Sequence, residues 1–359
     1  MYQQRQQPRK LILGVVIFLS MIGIGLGLFF FFKPTTESVK ELPFADALVT
    51  YSETNQKLVV TTADKESTVL GEWELPVYWM QADRYGNGVF VLEKTDSNQA
   101  TVHRLSLTEE RVDLTEIYRF TYDFTDETII SLDEDALTLY EPSTRTFTLI
   151  NTEFFTTQTY TLSKKETPNA WYGTDQYLYY SVGSNLRVYS WADSKVVKTI
   201  RFEDEIVALF EKEQSLYVLN SFGKSSNYTT IFKLDPKTLS ITDLGKIELT
   251  EMSLYPVSYV SESVFAKGID ARSKNEVIAW FNPIADLNTS ELLGTDILSQ
   301  SFVFTAHDYL YTISEAGDVS VYGKHSTRPV YTLEGEVSKV YPLWITTRLE
   351  ELPTDETIQ

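Results

Sequence analysis

Three observations predict an all-β fold, a seven-bladed β-propeller closed by a C-terminal strand and preceded by one N-terminal transmembrane helix. Short apolar runs recur at about the length of a four-stranded blade, a strand of the inner type is displaced to the far end of the chain, and residues 11–32 carry no charge. Composition agrees, with 22 Tyr, 20 Phe and 43% hydrophobic residues in a chain of 359. The absence of Cys excludes disulfides, Cys-ligated metal sites and a thiol nucleophile. A net charge of −19 argues against a nucleic-acid partner, which would need a basic surface.

The first element is the tail MYQQRQQPRK (1–10), whose charges are Arg5, Arg9 and Lys10. It precedes LILGVVIFLSMIGIGLGLFFFF (11–32). At a rise of about 1.5 Å per residue this run makes ~33 Å of helix, enough to cross a hydrocarbon layer of about 30 Å. The positive-inside rule keeps the tail in the cytoplasm and puts everything after Lys33 outside the cell. With the three tail cations set aside, the net charge of −19 becomes −22. The run exceeds a signal-peptide core of roughly 7–15 residues, and Lys33-Pro34-Thr35 is no small-x-small cleavage site, so an uncleaved signal anchor is expected. Gly23 and Gly27 form a Gly-x-x-x-Gly pair suited to helix packing in the bilayer. An exported domain without Cys fits a Gram-positive bacterium, which does not depend on oxidative folding.

After a polar spacer (33–45) the repeats begin. Runs centred on Val49, Phe90, Ile130, Tyr179, Val218, Phe265 and Tyr311 are spaced 39 to 49 residues apart and are assigned as second strands. Third strands follow as LVVTT (58–62), TVHRLS (101–106), LTLYEP (137–142), LRVYSW (186–191), TIFKLDP (230–236), VIAWFNP (277–283) and DVSVYG (318–323). Asp235-Pro236 and Asn282-Pro283 start turns, while Gly183, Gly223 and Gly317 permit positive φ between paired strands. First strands are assigned to 77–83, 117–123, 169–175, 206–212, 254–260 and 301–307. The first copy lacks one, and VSKVYPLWI (337–345) is expected to supply it, which removes open sheet edges from the ring. Spacing leaves FFTTQTYTL (154–162) open as an extra strand pair or a shifted register. The propeller is bounded at 46–347, with an acidic tail at 348–359.

The segment TIFKLDPKTLSITDLGKI (230–247), and more loosely LRVYSWADSKVVKTI (186–200), resembles the third-to-fourth strand hairpin of quinoprotein-like and YVTN-type β-propeller repeats. That resemblance implies the fold over most of 46–347 and carries no activity with it. The Trp docking motif of quinone-dependent dehydrogenases, the recurrent Trp-Asp dipeptide of WD40 blades and the paired glycine of kelch repeats are all missing.

The sequence offers no catalytic residues, no cofactor site and no metal ligands. His307-Asp308 falls at a first-to-second strand turn where other blades also place an acid, a turn-stabilising pattern. His103 and His325 have no second His at ligand spacing. The aromatic residues Trp79, Tyr118, Phe120, Trp171, Phe210, Tyr255, Phe302, Tyr341 and Trp344 lie in or beside the assigned inner strands and are expected to pack between blades. Two second-to-third strand loops, Asn220–Asn227 and Gly268–Asn275, read as longer than a hairpin needs and carry Lys224, Arg272 and Lys274. These three are the candidate partner-binding residues. The function expected is a membrane-tethered, extracytoplasmic protein-interaction platform in cell-envelope assembly or maintenance. Its partners would be the bilayer, through 11–32, and a protein at the outer membrane surface. The alternative is an enzyme or ligand-binding protein using the central channel, on envelope glycans.

Overall fold

The computed structural model describes residues 44–345 apart from 65, 84–85, 97–98, 134–135, 152–155, 213–214, 222–227, 255–263, 284–285, 292–301, 308, 324–325 and 327. The apolar run 11–32 with Gly23 and Gly27, the spacer up to 43, and the tail 348–359 lie outside the described residues. Among the described residues no helix is long and apolar enough to cross a membrane.

The strands form seven four-stranded antiparallel sheets, the blades. Blade 1 contains β1 (Ala47–Ser52), β2 (Lys57–Thr62) and β3 (Val69–Glu74). Blade 2 runs β4 (Val77–Ala82), β5 (Gly88–Asp96), β6 (Gln99–Leu107), β7 (Val112–Thr121), and blade 3 β8 (Ile129–Asp133), β9 (Ala136–Glu141), β10 (Thr146–Asn151), β11 (Thr156–Thr161). Blade 4 is β12 (Trp171–Gly173), β13 (Tyr177–Val182), β14 (Asn185–Ser190), β15 (Lys195–Arg201). Blade 5 is β16 (Glu205–Lys212), β17 (Ser215–Ser221), β18 (Thr229–Leu234), β19 (Ile241–Ile247). Blade 6 is β20 (Leu249–Leu254), β21 (Val264–Asp270), β22 (Glu276–Asn282), β23 (Asp286–Glu291). Blade 7 is β24 (Phe302–Ala306), β25 (Tyr309–Ile313), β26 (Val319–Gly323), β27 (Tyr331–Leu333). The last strand, β28 (Lys339–Leu343), returns to pair with β1, from Ala47↔Leu343 to Tyr51↔Lys339, and completes blade 1. The predicted closure is therefore present.

First strands of neighbouring blades touch, β28 with β4 and β24, β12 with β8 and β16, β16 with β20, so they make the inner ring. Burial follows position within the blade. The second strand β17 is buried at every residue, whereas the fourth strands β11 and β15 are largely exposed. Second strands read as continuous apolar runs because a blade is covered on both faces. Side chains alternate along a strand, and each parity meets a different neighbour. Val89 and Val91 of β5 pack toward blade 1, while Phe90 and Leu92 pack toward blade 3. In β17, Leu216 and Val218 face blade 4, and Tyr217 and Leu219 face blade 6. The core is thus a series of inter-blade layers, the largest joining blades 7, 1 and 2.

Six of the seven assigned second strands hold their place. The run at Ile130 is instead β8, the first strand of blade 3; LTLYE is its second strand, and TTQTYT its fourth. The region 154–162 is therefore a shifted register. The expected first strand at 117–123 belongs to β7, the fourth strand of blade 2. Blade 6 opens with β20 at 249–254 rather than 254–260, and 255–263 lie outside the described residues. Turn chemistry holds where described: Gly183 and Gly317 have φ of 58° and 90°, and Asp235 Oδ1 accepts from the N–H groups of Lys237 (2.7 Å) and Thr238 (3.2 Å). Gly223 lies outside the described residues.

Candidate functional site

Polar side chains of the inner ring tie blade 1 to blade 2, blade 2 to blade 3 and blade 4 to blade 5. From β28, Lys339 Nζ donates to the carbonyl of Tyr78 (3.4 Å) and Tyr341 OH to that of Met80 (2.8 Å). From β4, Gln81 Nε2 donates to the carbonyl of Leu132 in blade 3 (2.9 Å), and from β12, Tyr172 OH donates to Glu211 Oε2 in blade 5 (2.8 Å). Burial lowers the pKa of Lys339, partly offset by the Glu53 carboxylate. Burial raises that of Tyr341. Both effects follow from the cost of charge in a low-dielectric interior.

The inner-strand aromatics that are described act as inter-blade packing. Tyr341 meets Phe304 of blade 7 edge-on at 4.8 Å and Trp171 meets Phe147 of blade 3 at 5.4 Å, while Phe210 stacks on Tyr217 of its own blade at 5.1 Å within the layer shared with blade 6. Trp344 is fully buried beside His307, with ring centroids 4.4 Å apart. Tyr118 and Phe120 are on a fourth strand, not a first one, and stack at 5.8 Å. Tyr255 lies outside the described residues.

His103, Arg104 and Glu141 are engaged within the fold. His103 Nε2 lies 2.7 Å from Glu93 Oε2 across β5 and β6. Arg104 Nη2 donates to Asp83 Oδ2 and to Asn87 Oδ1, each at 2.8 Å, which pins the β4–β5 turn that sequence reasoning did not single out. Glu141 accepts from the hydroxyls of Thr125 (2.8 Å), Thr128 (2.9 Å) and Ser143 (2.8 Å). Burial alone would raise its pKa, but these bonds together outweigh burial and lower it. His307 occupies the predicted first-to-second strand turn, with φ of 46°; Asp308 and His325 lie outside the described residues. No group of three or more His, Asp and Glu side chains among the described residues is placed to hold a metal ion.

Of the candidate partner-binding residues, Arg272 and Lys274 share the turn between β21 and β22, and Lys224 lies outside the described residues. That turn is shorter than the sequence suggests, because Gly268–Asp270 continue β21. Its bonding repeats that of the turn at Asp235. Asp270 N donates to Asn275 O (3.0 Å) and Lys274 N to Asp270 O (3.0 Å); Asp235 N donates to Ser240 O (3.0 Å) and Leu239 N to Asp235 O (2.8 Å). Asp270 Oδ1 also accepts from the N–H groups of Ser273 and Arg272, which lowers its pKa. Arg272 pairs with Glu248, Nη2 to Oε2 at 2.6 Å, so an acid on the same end of the ring matches its charge. Exposed Glu53 and Glu315 lie on other second-to-third strand turns at this end, and exposed Glu203, Glu334 and Glu336 in its inter-blade linkers.

Fold and register define the class of this protein: a seven-bladed β-propeller closed by strand exchange between its two ends. No family model and no curated protein matches the chain. Solved structures share the architecture at low identity. A protein from Bacteroides uniformis, provisionally assigned as a 6-phosphogluconolactonase, is 11% identical over 83% of this chain and 99% of its own, with a TM-score of 0.52. A protein from Lactobacillus plantarum is 12% identical over 83% of this chain and 99% of its own (TM-score 0.48). BamB from Moraxella catarrhalis is 12% identical over 84% of this chain and 86% of its own (TM-score 0.44). At such identities the likeness concerns the fold alone.

Proposed function

We propose that the chain is a membrane-tethered propeller that serves as a protein-interaction platform on the outer face of the cell membrane, in envelope assembly or maintenance. The observation that carries this reading is the juxtaposition in one chain of an uncharged 22-residue run behind a basic tail with a rigid, ring-closed β-domain. In support, the buried or half-buried polar groups His103, Glu93, Asp83 and Glu141 are bound to partners inside the fold, while the rim acids face solvent. The three cations Lys224, Arg272 and Lys274 remain part of the proposal as a site that tunes association rate rather than affinity.

The test uses the natural lack of Cys. A single Cys at the exposed position Glu315 is expected to react with a membrane-impermeant maleimide in whole cells. Labelling only after lysis would place the propeller in the cytoplasm and overturn the tethered, outward-facing reading. Photocrosslinkers at Glu203 and Glu315 in the same cells are expected to yield discrete protein adducts, and charge reversal of Lys224, Arg272 and Lys274 to Glu to weaken them. Adducts with carbohydrate alone would favour the ligand-binding alternative.

A further inference from the structure

The chain reaches the propeller at Phe44, on the end of the ring that carries the turns between third and fourth strands. There the Phe44 ring packs 5.0 Å from Tyr331 and 6.2 Å from Tyr309 of blade 7, and its carbonyl accepts a hydrogen bond from Tyr311 OH. Asp46 N then donates to Leu343 O as β1 begins. The β2–β3 turn of blade 1 and the β26–β27 turn of blade 7 meet at this place, through a 2.8 Å hydrogen bond between Ser67 Oγ and Tyr331 OH. Large apolar side chains flank that bond and face solvent: Val69 at 55%, Leu70 at 42% and Val330 at 52% exposure. Apolar groups grouped at one spot on a soluble surface mark a contact with something else. Arg328, on the same turn as Val330, is exposed as well, and the facing β2–β3 turn carries exposed Asp64 and Glu66, so the patch has no net positive charge.

We infer that this patch, Val69, Leu70 and Val330 with Arg328, rests against the headgroup layer of a lipid bilayer. The inference depends on the reading of residues 11–32 as a membrane anchor and extends it to the orientation of the propeller. The connecting segment 33–43 reaches at most about 36–40 Å when fully extended, at ~3.3–3.6 Å per residue. A patch beside the attachment point is thus held at high effective concentration over the lipid, where even a weak contact forms. Valine and leucine enter the boundary between headgroups and acyl chains, and arginine meets lipid phosphate, the combination that interfacial segments use. The opposite end, with the second-to-third strand turns and the inter-blade linkers, then faces away from the bilayer.

Single Cys residues at Leu70, at Val330 and, on the opposite end of blade 7, at Glu315 are labelled with a fluorophore in the full chain. The protein is reconstituted in phosphatidylcholine–phosphatidylglycerol vesicles with and without brominated lipid. Quenching several-fold stronger at 70 and 330 than at 315 is expected, and Arg328→Glu should reduce it. Equal quenching at all three positions, or stronger quenching at 315, overturns the inference while the anchor reading stands. Loss of vesicle association after an alkaline carbonate wash overturns the anchor reading and this inference with it. Cys–Cys crosslinks between copies at 330 without quenching would assign the patch to a second copy and overturn the lipid contact.

Discussion

Blades 1 and 3 are built from the same four-stranded unit by opposite routes. Blade 1 draws strands from both ends of the chain, yet its composition is legible in sequence, because a lone inner-type strand at 337–345 has one vacancy to fill. Blade 3 uses four consecutive strands, yet its register reads one strand out. The cause is β7 beside it. This fourth strand is ten residues long and ends in Tyr118 and Phe120, and Phe120 is buried against Phe124 in the layer between blades 2 and 3. An outer strand with a buried aromatic end mimics an inner one. The true first strand, β8, starts with exposed Ile129 but runs on into buried Leu132 at the blade period, so it reads as a second strand. Long-range closure left a clearer mark than local order did, because closure requires an unpaired strand type and local order requires only alternation.

Four experiments break or sharpen this contrast, in order of decreasing effect. Deleting 337–359 removes β28 and the buried Val340, Tyr341, Leu343 and Trp344. Each large buried side chain is worth about 2–5 kcal/mol against a total stability of about 5–15. The truncated protein should lack a cooperative thermal transition, whereas deletion of 350–359 alone should leave the melt unchanged. A cooperative melt for the larger deletion would show that blade 1 does not need its borrowed strand.

At the junction of blades 3 and 4 the expected loss is smaller. A Cβ on Gly173 would sit 2.2 Å from Thr138 Oγ1 of β9, so Gly173→Ala overpacks that junction. Overpacking costs about 1–3 kcal/mol, and Thr138→Ala should recover part of it in a double-mutant cycle read by urea denaturation. Additive effects would mean that β12 and β9 relax apart freely.

Tyr341→Phe tests the ties of blade 1 more finely. It removes the bond to the Met80 carbonyl and leaves that acceptor buried, a loss of about 1–3 kcal/mol. An unchanged denaturation midpoint would show that packing alone holds blades 1 and 2 together.

The smallest effects concern pH, and the two blades respond in opposite windows. The Glu141 carboxyl in blade 3 has its pKa lowered on folding. Its contribution is complete above the unfolded carboxylate value of about 4.3 and is lost as pH falls through the folded value. Glu141→Gln should flatten the acid limb of a plot of Tm against pH. Lys339 in blade 1 has its pKa lowered by burial, so the folded state carries a cost below that folded value, relieved as pH rises toward the ordinary lysine value of about 10.4. Lys339→Met should flatten the alkaline limb, and an unchanged limb would mean that the ammonium is well hydrated.

The candidate surface was legible in part. Arg272 and Lys274 stand on a second-to-third strand turn, as spacing implied, but loop length was misjudged: an Asp carboxylate closing the turn leaves no mark in length counts. The Asp83–Arg104–Asn87 cluster was invisible for a related reason, since Arg104 sits 21 residues from Asp83 and only strand pairing brings them together. Exposed Val69 and Leu70 were equally hidden, because an outer-strand apolar pair looks in sequence like any buried pair.

By itself the sequence determined the all-β class, the number of blades and the closing strand. Each of these depends on residue type repeated at a period, and periodicity survives without coordinates. Only the tertiary structure decided which neighbour each parity of a strand meets, which aromatic end is buried, and which cation is already paired with an acid. Those facts depend on distances between residues far apart in the chain, set when seven sheets pack face to face.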